Sequence, residues 1–309
     1  MTELAIDVVH IGSACRDLTD DDPRGWRLGG GATYSALTTA RLGLRTAAAV
    51  GVDAIAATAT ELDLLRAAGV DLVLLPLDEG PVFVNRETPS GRVQTCVATG
   101  VPPPVAALPQ HWRAAAAWSL VPVAAELDDA WLSVVPGESF LSLGWQGLLR
   151  TLAAGQMVER RMPARSRLLE RADLVGVSRH DLAPGTQPAS LLPFLRAGSR
   201  LVVTDGLDGG RVFERDDGGK VRVRAYDAVA PDRGVDPTGA GDVFLAALVT
   251  ALVGGADAGL AGRSFDNRLG FAATAASFVV EAPGLHGIPD LAAVLARLGR
   301  SSSPGPPSI

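Results

Sequence analysis

A chain of 309 residues, 47% hydrophobic and 20% charged, has the balance of a folded globular protein, long enough for one large α/β domain or two small ones. Its formal net charge of −6, with Lys220 the sole lysine and the arginines scattered, excludes a general electrostatic affinity for nucleic acid or anionic membrane. Two cysteines, Cys15 and Cys96, cannot staple a chain of this size, which points to a reducing compartment. The opening MTELAIDVVHIG carries an acid and no basic segment, so it reads as a first strand and not a signal peptide. The longest apolar run, Val243 to Val253, is too short to span a bilayer. A cytoplasmic protein with no membrane or nucleic-acid partner is expected.

Short β-branched runs alternate with Ala/Leu-rich segments. In chain order they predict a strand over Ala5–Ile11, a helix over Ala32–Leu42, a strand over Thr46–Gly51, a helix over Ala56–Ala68 and a strand over Leu72–Leu75. Strands follow over Ala116–Leu120 and Phe140–Gly144, then a helix over Pro163–Arg171 and a strand over Leu174–Val177. A helix over Ala189–Arg196, a strand over Arg200–Thr204 and helices over Gly239–Leu252, Arg263–Val280 and Pro289–Leu298 complete the pattern. Such alternation predicts an α/β fold, doubly wound, with a largely parallel sheet flanked by helices. One stretch breaks it. Pro81–Arg86 and Arg92–Ala98 flank Glu87-Thr88-Pro89-Ser90-Gly91, a hairpin with a Gly-containing turn that serves either as a lid over a ligand or as a plain surface excursion. The terminal SSSPGPPSI is too rich in Ser and Pro to fold.

Chemistry concentrates in Val235-Asp236-Pro237-Thr238-Gly239-Ala240-Gly241-Asp242. Pro237 stops a helix from extending backwards, and the apolar VFLAALVTAL forms one immediately afterwards. The N–H groups of Gly239, Ala240 and Gly241 thus meet at a helix N-terminus, an anion cradle. Asp242, in the first turn, is then either a helix-capping carboxylate or a base beside a transferring phosphoryl group. The string DPTGAGD resembles the C-terminal signature of the ribokinase-like (PfkB) sugar-kinase family, and the resemblance extends from about Ala5 to Ala296. It implies that Asp242 is the catalytic base and Gly239, Ala240 and Gly241 the anion hole. It further implies ATP, Mg2+ and a monovalent cation as cofactors, with Thr238 on the nucleotide side and Asp236 on the substrate side.

Gly29-Gly30-Gly31-Ala32-Thr33-Tyr34-Ser35-Ala36, before Arg41-Leu42-Gly43, resembles the family's N-terminal signature. Gly30, Gly31 and Tyr34 would border the substrate. As a dinucleotide fingerprint it fits poorly, because Tyr34 stands at the third glycine and no strand runs into it. Lys220, followed by Val221, makes no P-loop, and Gly-x-Ser-x-Gly is absent. The stretch from Gly12 ends the first strand and sets Asp17 at its carboxyl edge, either to bind substrate hydroxyls or as a solvated loop acid. Val202-Val203-Thr204-Asp205-Gly206-Leu207-Asp208-Gly209 resembles the family's nucleotide-binding strand and turn, with Thr204, Gly206 and Gly209 bordering ATP; an ordinary hairpin explains the same residues.

Val177-Ser178-Arg179-His180-Asp181 stands where the family carries Asn-x-x-Glu, so Asp181 would hold magnesium-bound water, or else Ser178 caps and Asp181 is a first-turn acid. The four histidines lack metal-ligand spacing. Where ribose kinases carry an asparagine this chain has Tyr34, whose ring would narrow the pocket and stack on a cyclic polyol. Gly144-Trp145-Gln146-Gly147-Leu148-Leu149-Arg150 resembles the inositol-kinase branch. The expected partners are therefore ATP and a small sugar or cyclic polyol. A nucleoside kinase and a non-catalytic sugar- or nucleotide-binding regulator are the alternatives. The expected organisation is a kinase domain over 1–300, with β-lid segments near 13–28 and 80–100 that pair in a homodimer, and a disordered tail over 301–309.

Overall fold

In the computed structural model, which describes residues 5–88, 91–105, 107–254 and 259–301, the chain opens with β1 (Val8–Ser13), buried throughout as a strand covered on both faces must be. Two short strands, β2 (Cys15–Leu18) and β3 (Trp26–Gly29), lead into α1 (Gly31–Arg41) and β4 (Thr46–Val52). Then come α2 (Glu61–Ala67), β5 (Asp71–Pro76) and the hairpin of β6 (Val82–Thr88) and β7 (Gly91–Ala98). β8 (Ala117–Leu120) and β9 (Phe140–Gly144) precede the two-residue strands β10 (Arg150–Thr151), β11 (Gln156–Met157) and β12 (Glu159–Arg160). α3 (Arg167–Arg171), β13 (Leu174–Ser178), β14 (Arg200–Thr204), β15 (Gly210–Arg215) and β16 (Val221–Tyr226) follow. The chain ends in α4 (Ala240–Val253), α5 (Phe265–Val279) and α6 (Leu291–Ser301).

The main sheet has nine strands in the order β16-β15-β14-β13-β9-β8-β1-β4-β5, parallel from β14 to β5 and antiparallel at β15 and β16. The chain leaves β1 towards β4 and β5, then crosses back to β8 on the other side. At such a reversal the loops beyond the two strands part, and a crevice opens at their carboxyl ends. Helices α1, α2, α4, α5 and α6 contribute to the apolar layer on one face. The other face is filled by α3, by short 3₁₀ turns and by Trp112, Trp118, Trp131 and Trp145, all fully buried. The fold is the expected α/β class with a largely parallel sheet.

A second, mixed sheet runs β11-β7-β6-β2-β3 and forms the expected small β layer. It holds the expected hairpin, whose positions 89–90 lie outside the described residues, together with β2 and β3. Here the sequence reading needs correction. β1 runs to Ser13, and after one residue the chain enters the small sheet, so Asp17 lies on β2 and not at the carboxyl edge of the first strand. Ala14 N–H donates to Gly51 O (2.8 Å) and Arg16 N–H to Pro81 O (2.9 Å), which hands the chain from one sheet to the other. The small sheet is pinned to the base by Arg16–Asp53 (3.1 Å) and by Arg24, which donates to both oxygens of buried Glu61 (2.8 and 2.6 Å).

Three helix expectations shrink. Ala56–Ala68 divides into a 3₁₀ turn, Ala56–Thr58, and α2. Pro163–Arg171 keeps only α3, which starts where Ser166 caps Leu169 N–H. Ala189–Arg196 is a 3₁₀ run, Pro188–Phe194, interrupted by Pro193, which has no N–H to donate. Ser301, assigned to a tail, closes α6; positions 302–309 lie outside the described residues. No helix among the described residues is long and apolar enough to cross a membrane.

Candidate active site

α4 is entered through its N-cap, Gly239, whose φ of +82° places it in the left-handed region. Ala240 N–H donates to Pro237 O at 3.3 Å, so the cradle has less to offer there than the sequence suggests. The N–H groups of Gly239 and Gly241 have no backbone acceptor among the described residues. Gly241 is exposed, and a Cβ placed on it would meet nothing within 4 Å, so this side of the cradle faces open space.

Asp242 follows on the inward side. Its carboxylate caps no N–H; instead it lies against the start of α1, where a Cβ on Gly31 would stand 3.0 Å from Oδ1. Two helix N-termini therefore flank one carboxylate. Burial, and secondarily the charge of Asp181, push its pKa up to about 7, while Arg150 opposes the shift. The other glycines of the N-terminal signature serve the same packing. A side chain on Gly29 would strike the Asp17 carboxylate and Cys15 Sγ, and one on Gly30 the backbone of Ser13 and Ala14. The three glycines let α1 approach the strand ends and both acids.

Tyr34, from the second turn of α1, is 2% exposed. Its ring fills the space beside Gly239, where a Cβ would stand 2.7 Å from Cζ, and its hydroxyl points towards Gly284. The expectation of a ring open to stack on a polyol is thus corrected: the ring supports the cradle, and the phenol end alone can reach an acceptor. Burial, then the charges of Asp17 and Asp236, push the phenol pKa up, so the group stays an O–H donor. Asp17 accepts from Asn85 Nδ2 (3.0 Å). Directly opposite Asp17 in register is Arg27, which lies 3.6 Å from Asp236 Oδ2 and ties the small sheet to the loop before α4. Asp236 Oδ1 accepts from Thr238 N–H at 2.9 Å.

Ser178 caps the next turn, its hydroxyl accepting from His180 N–H (3.2 Å). Asp181 accepts from Gln146 Nε2 at 3.2 Å on both oxygens and pairs with Arg150 Nη2 at 3.3 Å. The carboxylate expected to hold magnesium-bound water is therefore already engaged, and among the described residues no cluster of three or more His, Cys, Asp or Glu side chains could hold a metal.

Thr204 ends β14, Gly206 opens a one-turn 3₁₀ helix, and Gly209 turns the chain into β15. A stack between Tyr226, at the end of β16 beside this hairpin, and Phe244, with centroids 4.9 Å apart, fastens the sheet edge to α4 two residues beyond Asp242. Sequence reasoning passed over Arg27, Asn85, Arg150 and Glu126. Glu126 is buried and accepts from the N–H groups of Ser13 (3.0 Å), Val123 (3.0 Å) and Ala124 (2.6 Å), binding the ends of β1 and β8 together. Only the GWQGLLR stretch signalled one of these four in advance.

The model of the pfkB family carbohydrate kinase matches residues 154–290, which include the cradle and Asp242. Inositol 3-kinase of Oryza sativa subsp. japonica is 39% identical over 111 residues, 29% of this chain; the chain spans about a quarter of that relative's length, 26%. A pyrophosphate-dependent kinase in the ribokinase family, complexed with a pyrophosphate analog and myo-inositol, superposes with a TM-score of 0.67 at 20% identity, covering 94% of this chain and 99% of that one. Arabidopsis thaliana ribokinase, complexed with ribose and ATP, gives 0.63 at 19% identity over 96% and 99%. The chain therefore has the fold of these ribokinase-family structures, and its segment 154–290, which carries the cradle and Asp242, is similar to the pfkB family carbohydrate kinases.

Proposed function

We propose that this chain transfers a phosphoryl group from ATP to a hydroxyl of a small cyclic polyol, with Asp242 as general base. The observation that carries the reading is Asp242 itself, a carboxylate engaged by no cap, raised to about 7 and set between two helix N-termini beside the open cradle. A base poised near neutrality is matched to removing a proton from an alcohol as its oxygen becomes nucleophilic. The acceptor oxygen forms the new O–P bond, its proton passes to Asp242, and the bond between the γ-phosphorus and the bridging oxygen breaks with release of ADP. Gly239 and Gly241 N–H groups face the oxygens on which negative charge collects.

On the acceptor side, Asp17, Asn85, Arg27 and the Tyr34 hydroxyl offer alternating acceptors and donors, suited to adjacent hydroxyls. Thr204, Gly206, Gly209 and Thr238 would border the nucleotide. The favoured acceptor is inositol-like, supported by the rice relative and by the myo-inositol complex among the structural neighbours. ADP release by wild type and Asp242→Asn, screened over polyols, pentoses, hexoses and nucleosides, tests the reading. Turnover of an inositol that is lost in the variant supports it; turnover of nucleosides alone makes the chain a nucleoside kinase, and no turnover makes it a binding protein.

A further inference from the structure

Arg150 is buried, 8% exposed, at the carboxyl end of the sheet, yet it takes part in none of the chemistry described so far. Its guanidinium makes two long hydrogen bonds, to Asp181 Oδ1 (3.3 Å) and to Val123 O (3.4 Å). Five N–H donors sit on that group, and a buried cation normally satisfies them. Donors therefore remain for a further acceptor. Both partners are themselves fixed: Asp181 by Gln146, and Val123 by the Glu126 carboxylate that grips its N–H.

Charge points the same way. Asp17, Asp181, Asp236 and Asp242 converge on the site, with Arg27 and Arg150 as the cations among them. A phosphate chain entering beside Asp242 adds more negative charge. Arg27 belongs to the acceptor side, and Asp181 is held by Gln146 and by Arg150 itself. We propose that Arg150 contacts the transferring phosphate through its remaining N–H groups, with Gln146, Asp181 and Val123 aiming it. This rests on the kinase reading and supplies its site with a protein-borne positive charge.

The test is calorimetric titration with inorganic pyrophosphate and with ATP, in EDTA, of wild type, Arg150→Met, Arg150→Lys and Asp181→Asn. Arg150→Met should bind both ligands at least about 10-fold more weakly, with Arg150→Lys intermediate. Asp181→Asn breaks the same ion pair but frees the guanidinium, so it should bind both at least as tightly as wild type. Equal weakening in Arg150→Met and Asp181→Asn would make the pair structural and overturn the proposal. So would unchanged affinity in Arg150→Met, a loss for ATP alone, or no measurable binding of either ligand to wild type. Where Arg150→Met does not fold, Arg150→Lys against Asp181→Asn decides in the same way. In turnover, Arg150→Met should lose about 100-fold in kcat with the acceptor KM within a few-fold. If wild type phosphorylates no acceptor, the kinase reading fails while the binding comparison still decides the role of Arg150.

Discussion

The ring of Tyr34 occupies the space that any side chain on Gly239 would need, so the N-terminal signature physically supports the C-terminal one. Gly239→Ala combines a left-handed backbone with that collision. It should cost about 1–3 kcal/mol of stability and lower kcat more than 10-fold. Calorimetric melting alongside initial rates checks both; a variant that melts and turns over like wild type would show that the ring yields.

Gly241 offers the opposite case. It has open space around it and no positive φ. Gly241→Val should fold, with a melting shift of no more than a few degrees, yet lose about 100-fold or more in kcat/KM for ATP because isopropyl fills the phosphate side of the cradle. Parallel loss of melting temperature and activity would make this glycine structural.

Asp242→Asn should lower kcat by about 10² to 10⁴ with little change in acceptor KM. In wild type, kcat/KM should fall as pH drops below about 7, since the protonated acid accepts no proton. The stability sign is opposite to that of a paired carboxylate. A pKa raised on folding means the native state binds more protons than the unfolded chain, so Asp242 weakens the fold as pH rises to about 7, fully above it. Asp242→Asn should therefore melt higher than wild type at pH 8, by on the order of 1–2 kcal/mol once partial solvent access is allowed for, with a smaller gain at pH 5. An acid limb that stays in place when measured on a poorer acceptor separates this titration from one on the substrate.

Asp17→Ala removes the carboxylate proposed to face the acceptor and leaves the cradle intact. Acceptor KM should rise about 10- to 100-fold, with kcat reduced less. Tyr34→Asn, by contrast, should open a void beneath Gly239 and depress kcat for inositol and ribose alike, and not exchange one for the other. Ratios of kcat/KM for the two acceptors in each variant decide the point.

The small sheet leaves Val97 and Met157 exposed, with Val84 and Val93 half-buried nearby. Val82, by sequence part of the same apolar stripe, is 4% exposed because the pairing of β6 and β7 shifts register beside it. The remaining stripe suits a second copy of this chain, and light scattering should give twice the mass of one chain; Val97→Glu should then return it to one. Monomer mass for wild type at working concentration removes the idea.

Parallel strands such as Thr46–Val52 were legible because strands buried on both faces read as uninterrupted apolar runs. The cradle was legible because Pro237, two glycines and an apolar helix act within a few residues. β2 and β3 were foreseen only as a lid segment near 13–28 and not as individual strands, since CRDL and WRLG are four residues long and β2 joins the sheet through β6, remote in sequence. Asp17 was picked out but set on the wrong sheet for the same reason. Glu126 carries no local signal and Arg150 none beyond the GWQGLLR resemblance, because their partners, Asp181, Val123 and Ser13, arrive only through the closure of the sheet.

The contact between Gly31 and Asp242 joins the first helix to the first of the last three, and Thr204, at the end of β14, and Asp181, in the turn after β13, are made in between. During synthesis Asp17, Tyr34 and Asn85 emerge early, while Asp242 emerges after the whole main sheet. A nascent chain halted before Val235 would hold all nine strands of that sheet with the α1 edge of the crevice uncovered, exposing the apolar face of α1 that α4 covers in the finished protein. Chaperone capture should accordingly be strongest for stalled chains of that length and vanish once α4 has cleared the exit tunnel.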